Sequence, residues 1–214
     1  RNRKTVYQMI QIKDKDYIAE GLARKVYYHP HNNDLCIKIG KPEVKKQHLY
    51  KEINYYDRIK NKDTSKFKYF FYVKYFGVVE TNLGNGFVYN LIKDETTQNI
   101  SLTLRHYLEM PDSPISDKQI IEGLNRLKSE MIKNKVFVGD LRARNICVKI
   151  LMDNTIELIV IDGIGHRDFF PLADWFDFFS RKKVERRFIK ANLHSLDAQR
   201  TLIKQMRADG EIIV

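Results

Sequence analysis

Cysteine is scarce in this 214-residue chain: Cys36 and Cys147 are the only two. Each sits in a short apolar run, so both read as small buried hydrophobes rather than a disulfide pair. With no CxxC and no Cys/His cluster, zinc is not expected, and this usage favours a reducing cytoplasm. Long hydrophobic stretches are missing too. No run approaches the roughly 20 apolar residues that span a bilayer, so no transmembrane segment is expected. Arg1-Asn2-Arg3-Lys4 has no long apolar stretch behind it, so it does not read as a secretory signal. Internal repeats, low-complexity segments and flexible linkers are also absent from the sequence.

Positive charge is abundant. The net charge of +11 favours anionic partners, whether nucleotide, phosphorylated sugar, nucleic acid or membrane surface, without choosing among them. The densest basic stretch, Arg181-Lys182-Lys183 with Arg186-Arg187, reads as a solvated helix face. Apolar content of 43% and charged content of 30% suit a globular protein, and the length allows one or two domains.

Residues 17 to 40 read as short strands broken by turns. Ile18-Ala19 precedes Glu20-Gly21, Arg24 to Tyr28 follows, and Leu35-Cys36-Ile37-Lys38-Ile39 is a strand after the turn-rich His29 to Asp34. From Glu43 to about Lys60 the pattern turns helical, with Leu49, Ile53, Tyr56 and Ile59 on one stripe. Strands are expected at Val73 to Val79 and Gly86 to Ile92, around the turn Asn82-Leu83-Gly84-Asn85. This predicts a five-stranded sheet with one helix over residues 1–92. Residues 93–214, a connector followed by a mainly helical region, form the second part. Ser116-Asp117-Lys118-Gln119 fits a capping box, and Ile120, Leu124, Leu127 and Met131 make the apolar stripe of a largely buried helix. Ile146 to Leu151 and Ile156 to Ile161 read as two strands around Asp153-Asn154. Two or three helices are expected from Pro171 to about Arg207.

Asp140-Leu-Arg-Ala-Arg-Asn145, followed by Asp162-Gly163 at the end of an apolar strand, carries the most chemistry. An Asp-Asn pair in a tight loop is often only turn chemistry. An acid after Leu158-Ile159-Val160-Ile161, however, is costly to bury unpaired, so a cation or strong donors are expected nearby. An acid, an amide and a second acid at these spacings suit phosphoryl transfer. The acid orients a hydroxyl or takes its proton, and the amide oxygen and second carboxylate hold magnesium. Arg142 and Arg144 either neutralise transferred phosphate or face solvent. Lys38 alternates with Ile37 and Ile39, so its ammonium is expected on the opposite face. Glu52, on the following helix, is its expected partner, with Glu43 and Glu80 as rivals. Gly21 lies in a turn where backbone amides can approach phosphate, and Arg24 is a further candidate for phosphate.

At these residues the chain resembles a known family. Gly21 to Val26, Cys36 to Ile39, Glu52 with Tyr55-Tyr56, Tyr75 to Thr81, Gly86 to Tyr89 and Pro171-Leu172-Ala173-Asp174-Trp175 together resemble the PhoP regulatory network protein YrbL family, over roughly residues 17 to 190. The resemblance implies a compact, bilobal protein-kinase-like fold of the α+β class. Its β-rich N-lobe with one helix would cover residues 1–92, and its reduced helical C-lobe residues 93–214, with ATP between them. It implies that Gly21 and Val26 belong to the nucleotide-covering loop, where Ala19 and Arg24 stand at positions a fuller phosphate loop gives to glycine, and that Lys38 contacts the α- and β-phosphates beside Glu52. Asp140 would be the catalytic-loop aspartate, with Asn145 and Asp162 as Mg²⁺ ligands. Tyr89, Asn90 and Leu91, within the run Tyr89 to Ile92, would fall where the strand joining the lobes hydrogen-bonds adenine through its backbone.

Departures from the wider kinase pattern are visible. Val138-Gly139 stands where His-Arg is usual, Gly163 replaces the phenylalanine after the metal aspartate, and no Ala-Pro-Glu motif is visible. The short segment between Asp162 and Pro171 leaves little room for a peptide platform, and Phe137-Val-Gly-Asp-Leu141 resembles the Gly-Asp-Leu of small-molecule kinases. The leading expectation is an ATP- and Mg²⁺-dependent phosphotransferase passing phosphate to an unidentified hydroxyl acceptor, with a small molecule or envelope sugar favoured over protein. A nucleotide-binding pseudokinase acting as a regulatory or scaffold module is the second reading. A nucleic-acid or membrane-surface binder using Arg181 to Arg187 is the third and least favoured.

Overall fold

The computed structural model describes residues 9–44, 46–60, 62, 67–165 and 177–209. The protein is α+β, with a mostly antiparallel sheet and several helices. The chain divides into two compact units. One takes in the described part of Arg1–Tyr50 with Lys74–Leu91. The other takes in Lys51–Val73 and the described part of Ile92–Ile213.

The first unit is built on a five-stranded antiparallel sheet. Its strands are β1 (Tyr17–Glu20), β2 (Arg24–His29), β3 (Asn32–Gly40), β4 (Tyr75–Thr81) and β5 (Gly84–Asn90), in the order β1-β2-β3-β5-β4. Side chains alternate across a strand, so Ile37 and Ile39 of β3 share one face. They pack with Ile12, Tyr27 and Val88 into a core. Cys36 and Lys38 fall on the other face. β5 approaches β3 closely at Gly86, where a Cβ would lie 2.4 Å from Ile37 Cγ2, so no larger residue fits without displacing the core. The β4–β5 turn is closed by Thr81, whose Oγ1 accepts from Leu83 N (3.1 Å) and donates to Gly84 O (2.6 Å).

Helix α1 (Lys46–Ile59) begins three residues after the expected Glu43 and crosses from one unit into the other along the chain. Its Ile53, Tyr55, Tyr56 and Ile59 are buried, and Tyr56 Oη donates to Val73 O (2.9 Å). The second unit is organised by α3 (Asp117–Asn134). Ser116 caps it as expected: Ser116 Oγ accepts from Gln119 N (3.3 Å), and Ser116 N donates back to Gln119 Oε1 (3.0 Å). The stripe Ile120, Leu124, Leu127 and Met131 is buried, each side chain contributing about 1.5–3 kcal/mol by leaving water. It packs against the hairpin of β6 (Ile146–Ile150) and β7 (Ile156–Val160) and against α4 (Asp177–Lys190). A short helix that the sequence did not announce, α2 (Leu104–Glu109), and a final helix, α5 (Leu196–Ala208), complete this unit. Pro171 to Trp175 lies outside the described residues. Among the described residues no helix is long and apolar enough to cross a membrane.

Candidate active site on the Asp140 loop

The burial of α3 anchors the loop that follows it. Lys135 ends the helix in the left-handed region (φ +50), and Val136, Phe137 and Val138 are then buried. Phe137 N donates to Tyr55 Oη (2.9 Å). The chain next pairs with the segment after β7: Val138 bridges Ile164, Gly139 N donates to Gly163 O (2.7 Å), and Gly165 N donates to Phe137 O (2.8 Å). This pairing brings Asp140 against Asp162-Gly163. Gly163 has φ +77, and a Cβ there would lie 2.9 Å from Asp140 Cβ and 3.0 Å from Asp140 O. The residue after Asp162 therefore has to be glycine for both backbone and packing reasons.

Asp140 and Asn145 are joined directly by their side chains. Asn145 ends a 3₁₀ turn, and its Nδ2 donates to Asp140 O (2.9 Å) and Asp140 Oδ2 (3.2 Å). The nitrogen end of this amide is thereby spent on the loop, and Oδ1 is the end left to offer a cation. Ile161 N donates to Asn145 O (2.8 Å), tying the turn to the residue before Asp162. Asp162 Oδ1 accepts from Gly163 N (2.9 Å). Arg142 Nε pairs with Asp140 Oδ1 at 2.7 Å. The side chains of Arg142 and Asp140 are 52% and 42% exposed, so the pair is solvent-screened and worth at most about 1 kcal/mol. Among the described residues no group of three His, Cys, Asp or Glu could hold a metal. The Asp162 carboxylate and the Asn145 amide oxygen are the donors the loop could offer a hard cation.

Most of the other candidates lie in the sheet unit; Glu52 lies on the part of α1 that belongs to the second unit. Lys38 is buried, paired in register with Val26 and Phe87, and its Nζ stands 4.7 Å from the Tyr89 ring centroid. Burial of a lysine is uncommon and departs from an ordinary exposed strand residue. Gly21 N donates to Arg24 O (2.8 Å), closing the β1–β2 turn. Arg24 is buried at the start of β2, and Val26 is half-buried in it. Asn90 N donates to Lys74 O (3.2 Å), and Leu91 N to Asp34 O (2.8 Å). Of the three carboxylates considered for Lys38, Glu52 is buried, whereas Glu43 and Glu80 are exposed.

The basic stretch on α4 is only partly a solvated face. Arg181, Lys182 and Arg186 are exposed, but Lys183 is buried with Nζ 4.3 Å from the Phe137 ring centroid. Arg187 Nη1 donates to Gly139 O (3.1 Å), directly behind Asp140. Lys183 and Arg187 are four apart, so one helix turn carries both inward, a spacing visible in the sequence. Arg105 also escaped notice. It is buried on α2 with Nε on Glu109 Oε1 (2.9 Å), and the i, i+4 Arg-Glu pair within Leu104, Tyr107 and Leu108 was the available signal.

The comparisons with known proteins agree with this reading of the chain's relations. A family described as PhoP regulatory network protein YrbL matches residues 10–193. The Escherichia coli (strain K12) protein named "Uncharacterized protein YrbL" is 28% identical over 201 residues, covering 91% of this chain and 93% of its own length. Its namesake in Shigella flexneri matches with the same identity and coverage. Because the family's match spans residues 10–193, most of its length, the chain belongs to the PhoP regulatory network protein YrbL family.

Proposed function

We propose that the protein is an ATP- and Mg²⁺-dependent phosphotransferase with a protein-kinase-like fold. The observation that carries this reading is the juxtaposition of Asp140, Asn145 and Asp162 on two hydrogen-bonded segments of the helical unit. In the proposal the bound nucleotide–metal group supplies the transferable phosphoryl. Asn145 Oδ1 and the Asp162 carboxylate hold the metal. Asp140 orients an acceptor hydroxyl and accepts its proton as the oxygen–phosphorus bond forms and the bond to the ADP leaving group breaks. Arg142, beside Asp140, offsets charge on the phosphoryl oxygens. Lys38 holds the α- and β-phosphates, steadied by Glu52, with Gly21, Arg24 and Val26 over the nucleotide. Since the N–H groups of Asn90 and Leu91 are already donated within the sheet unit, the segment Tyr89-Asn90-Leu91 offers adenine packing and acceptors. Positioning and charge stabilisation, not covalent catalysis, supply the rate.

Both Asp140 oxygens are engaged, by Arg142 and Asn145. That observation keeps a second reading in view, a nucleotide-binding regulatory module without turnover. Assays of Mg²⁺-dependent phosphate release and thermal stabilisation by ATP separate the two. In the first reading, Asp140→Asn lowers turnover by about 10²–10⁴-fold and keeps ATP stabilisation, while Lys38→Met loses it. Stabilisation by ATP without turnover in any protein supports the second reading. An absence of nucleotide binding sinks both.

A further inference from the structure

A cavity of about 400 Å³ opens beside the Asp140 loop, entirely within the helical unit. Its walls come from α2, α4, α5 and residues 139–144. Arg105, Arg142, Arg144, Arg187 and Lys190 line it, and Asp140 is the one carboxylate among its lining residues. Arg142 pairs with Asp140 through Nε. Arg105 shares Glu109 with Arg207, whose Nη2 lies 3.2 Å from Glu109 Oε2. Arg144, Arg187 and Lys190 have no carboxylate partner among the described residues.

Residues of the same wall hold three buried polar atoms with no hydrogen-bond partner among the described residues: Arg105 Nη2, Arg187 Nε and Gln199 Oε1. Arg105 is 5% exposed and Gln199 4%. Buried polar atoms are normally satisfied, and unsatisfied guanidinium donors are especially costly. Two unsatisfied guanidinium donors on residues lining one cavity mark a site suited to something that brings acceptors. Turning the Gln199 amide over would present an N–H in place of its oxygen. Guanidinium groups converging from separate helices match an oxyanion with several oxygens at tetrahedral angles. The volume suits a small metabolite. Asp140 in the same wall repels an anion but accepts from a hydroxyl.

We infer that this cavity binds a hydroxylated phosphate monoester. Its phosphate sits among Arg105, Arg187 and Lys190, and its hydroxyl points toward Asp140. That the hydroxyl is the acceptor rests on the phosphotransferase reading; the phosphate site does not.

The test is calorimetric titration of the full chain, without nucleotide or Mg²⁺, using glucose 6-phosphate, inorganic phosphate and glucose at constant ionic strength. Both phosphates are expected to bind at millimolar concentration or tighter, and glucose not to bind. Arg144→Gln/Lys190→Gln, which alters incompletely buried side chains and so spares folding, should weaken glucose 6-phosphate at least tenfold. Arg105→Lys should do the same, with its fold checked by circular dichroism. Equal binding by the double variant, or no phosphate binding by the wild type, overturns the proposal. Displacement of glucose 6-phosphate by ATP–Mg²⁺ also overturns it, because the cavity would then belong to the nucleotide. Mg²⁺-dependent ATP hydrolysis without phosphate-monoester binding would sink the cavity and leave the phosphotransferase standing. Monoester binding without any turnover of ATP would do the reverse.

Discussion

Gly163 and Gly21 both lie beside residues offered to phosphate, yet their surroundings are opposite. Gly163 has φ +77, and a Cβ would press on the Asp140 backbone at 3.0 Å. Gly21 has no heavy atom within 4 Å of where its Cβ would stand, and its neighbour Leu22 is 78% exposed. The Asp140 loop is thus fixed by the chain itself, with paired backbone and side-chain bonds in place before any ligand arrives. The β1–β2 turn is closed by hydrogen bonding and open on its outer side. The sheet unit has its own obligatory glycine, Gly86, but it serves the core beside Ile37. The acids proposed to carry the chemistry are held by the chain's own bonds, whereas the turn proposed to cover the nucleotide has open space on its outer side. Such a division suits a site that must admit and release its ligand.

Breaking the rigid side of this comparison should have the largest effect. Gly163→Ala forces a left-handed conformation on a residue with a Cβ and pushes it into Asp140. The expected loss of stability is about 2–4 kcal/mol by urea denaturation. Any phosphotransfer should be lost even where the fold survives at low temperature. A loss below about 1 kcal/mol would show that the loop yields easily and that the contrast with Gly21 is overstated. Asn145→Ala is the milder probe of the same loop. It removes both bonds from Nδ2 to Asp140 and should cost about 1–2 kcal/mol. Any Mg²⁺-dependent stabilisation by ATP should fall with it. If stability is unchanged, the Asp140 loop is held by its backbone pairing alone.

Much of this arrangement could be read from the residues. Period-two alternation set Lys38 opposite Ile37 and Ile39, and the cap at Ser116 fixed the start of the helix that anchors the Asp140 loop. Asp140, Asn145 and Asp162 stood out because three such groups in this order are unlikely by accident, and the β6–β7 hairpin returns the chain to the Asp140 loop. α2 was missed because six residues are too few for a helical period to stand out. The cationic cavity was missed for a different reason. Its lining joins α2 to the Asp140 loop and to α4 and α5, far along the chain, and Arg187 belongs to a run that by composition alone reads as solvent-facing. Which way a charged helix turns its residues depends on what packs against it, and that information is tertiary.

The smallest expected effect is at the adaptable turn. Gly21→Ala adds a methyl group into open space at a position without a positive φ, and the Gly21 N to Arg24 O bond is unaffected by a side chain. Stability should therefore change by no more than about 0.5 kcal/mol, with a slight gain possible from a stiffer unfolded chain. ATP binding tells more than stability does. If the backbone of this turn approaches phosphate closely, the added Cβ will weaken ATP severalfold while leaving the melting temperature of the free protein in place. An unchanged ATP affinity would mean that the turn stands clear of the nucleotide, so that the phosphates rest on Lys38 and the metal ligands. A loss of stability matching that of Gly163→Ala would show that both loops are equally rigid, and the division between a preorganised acid cluster and a yielding cover would fall.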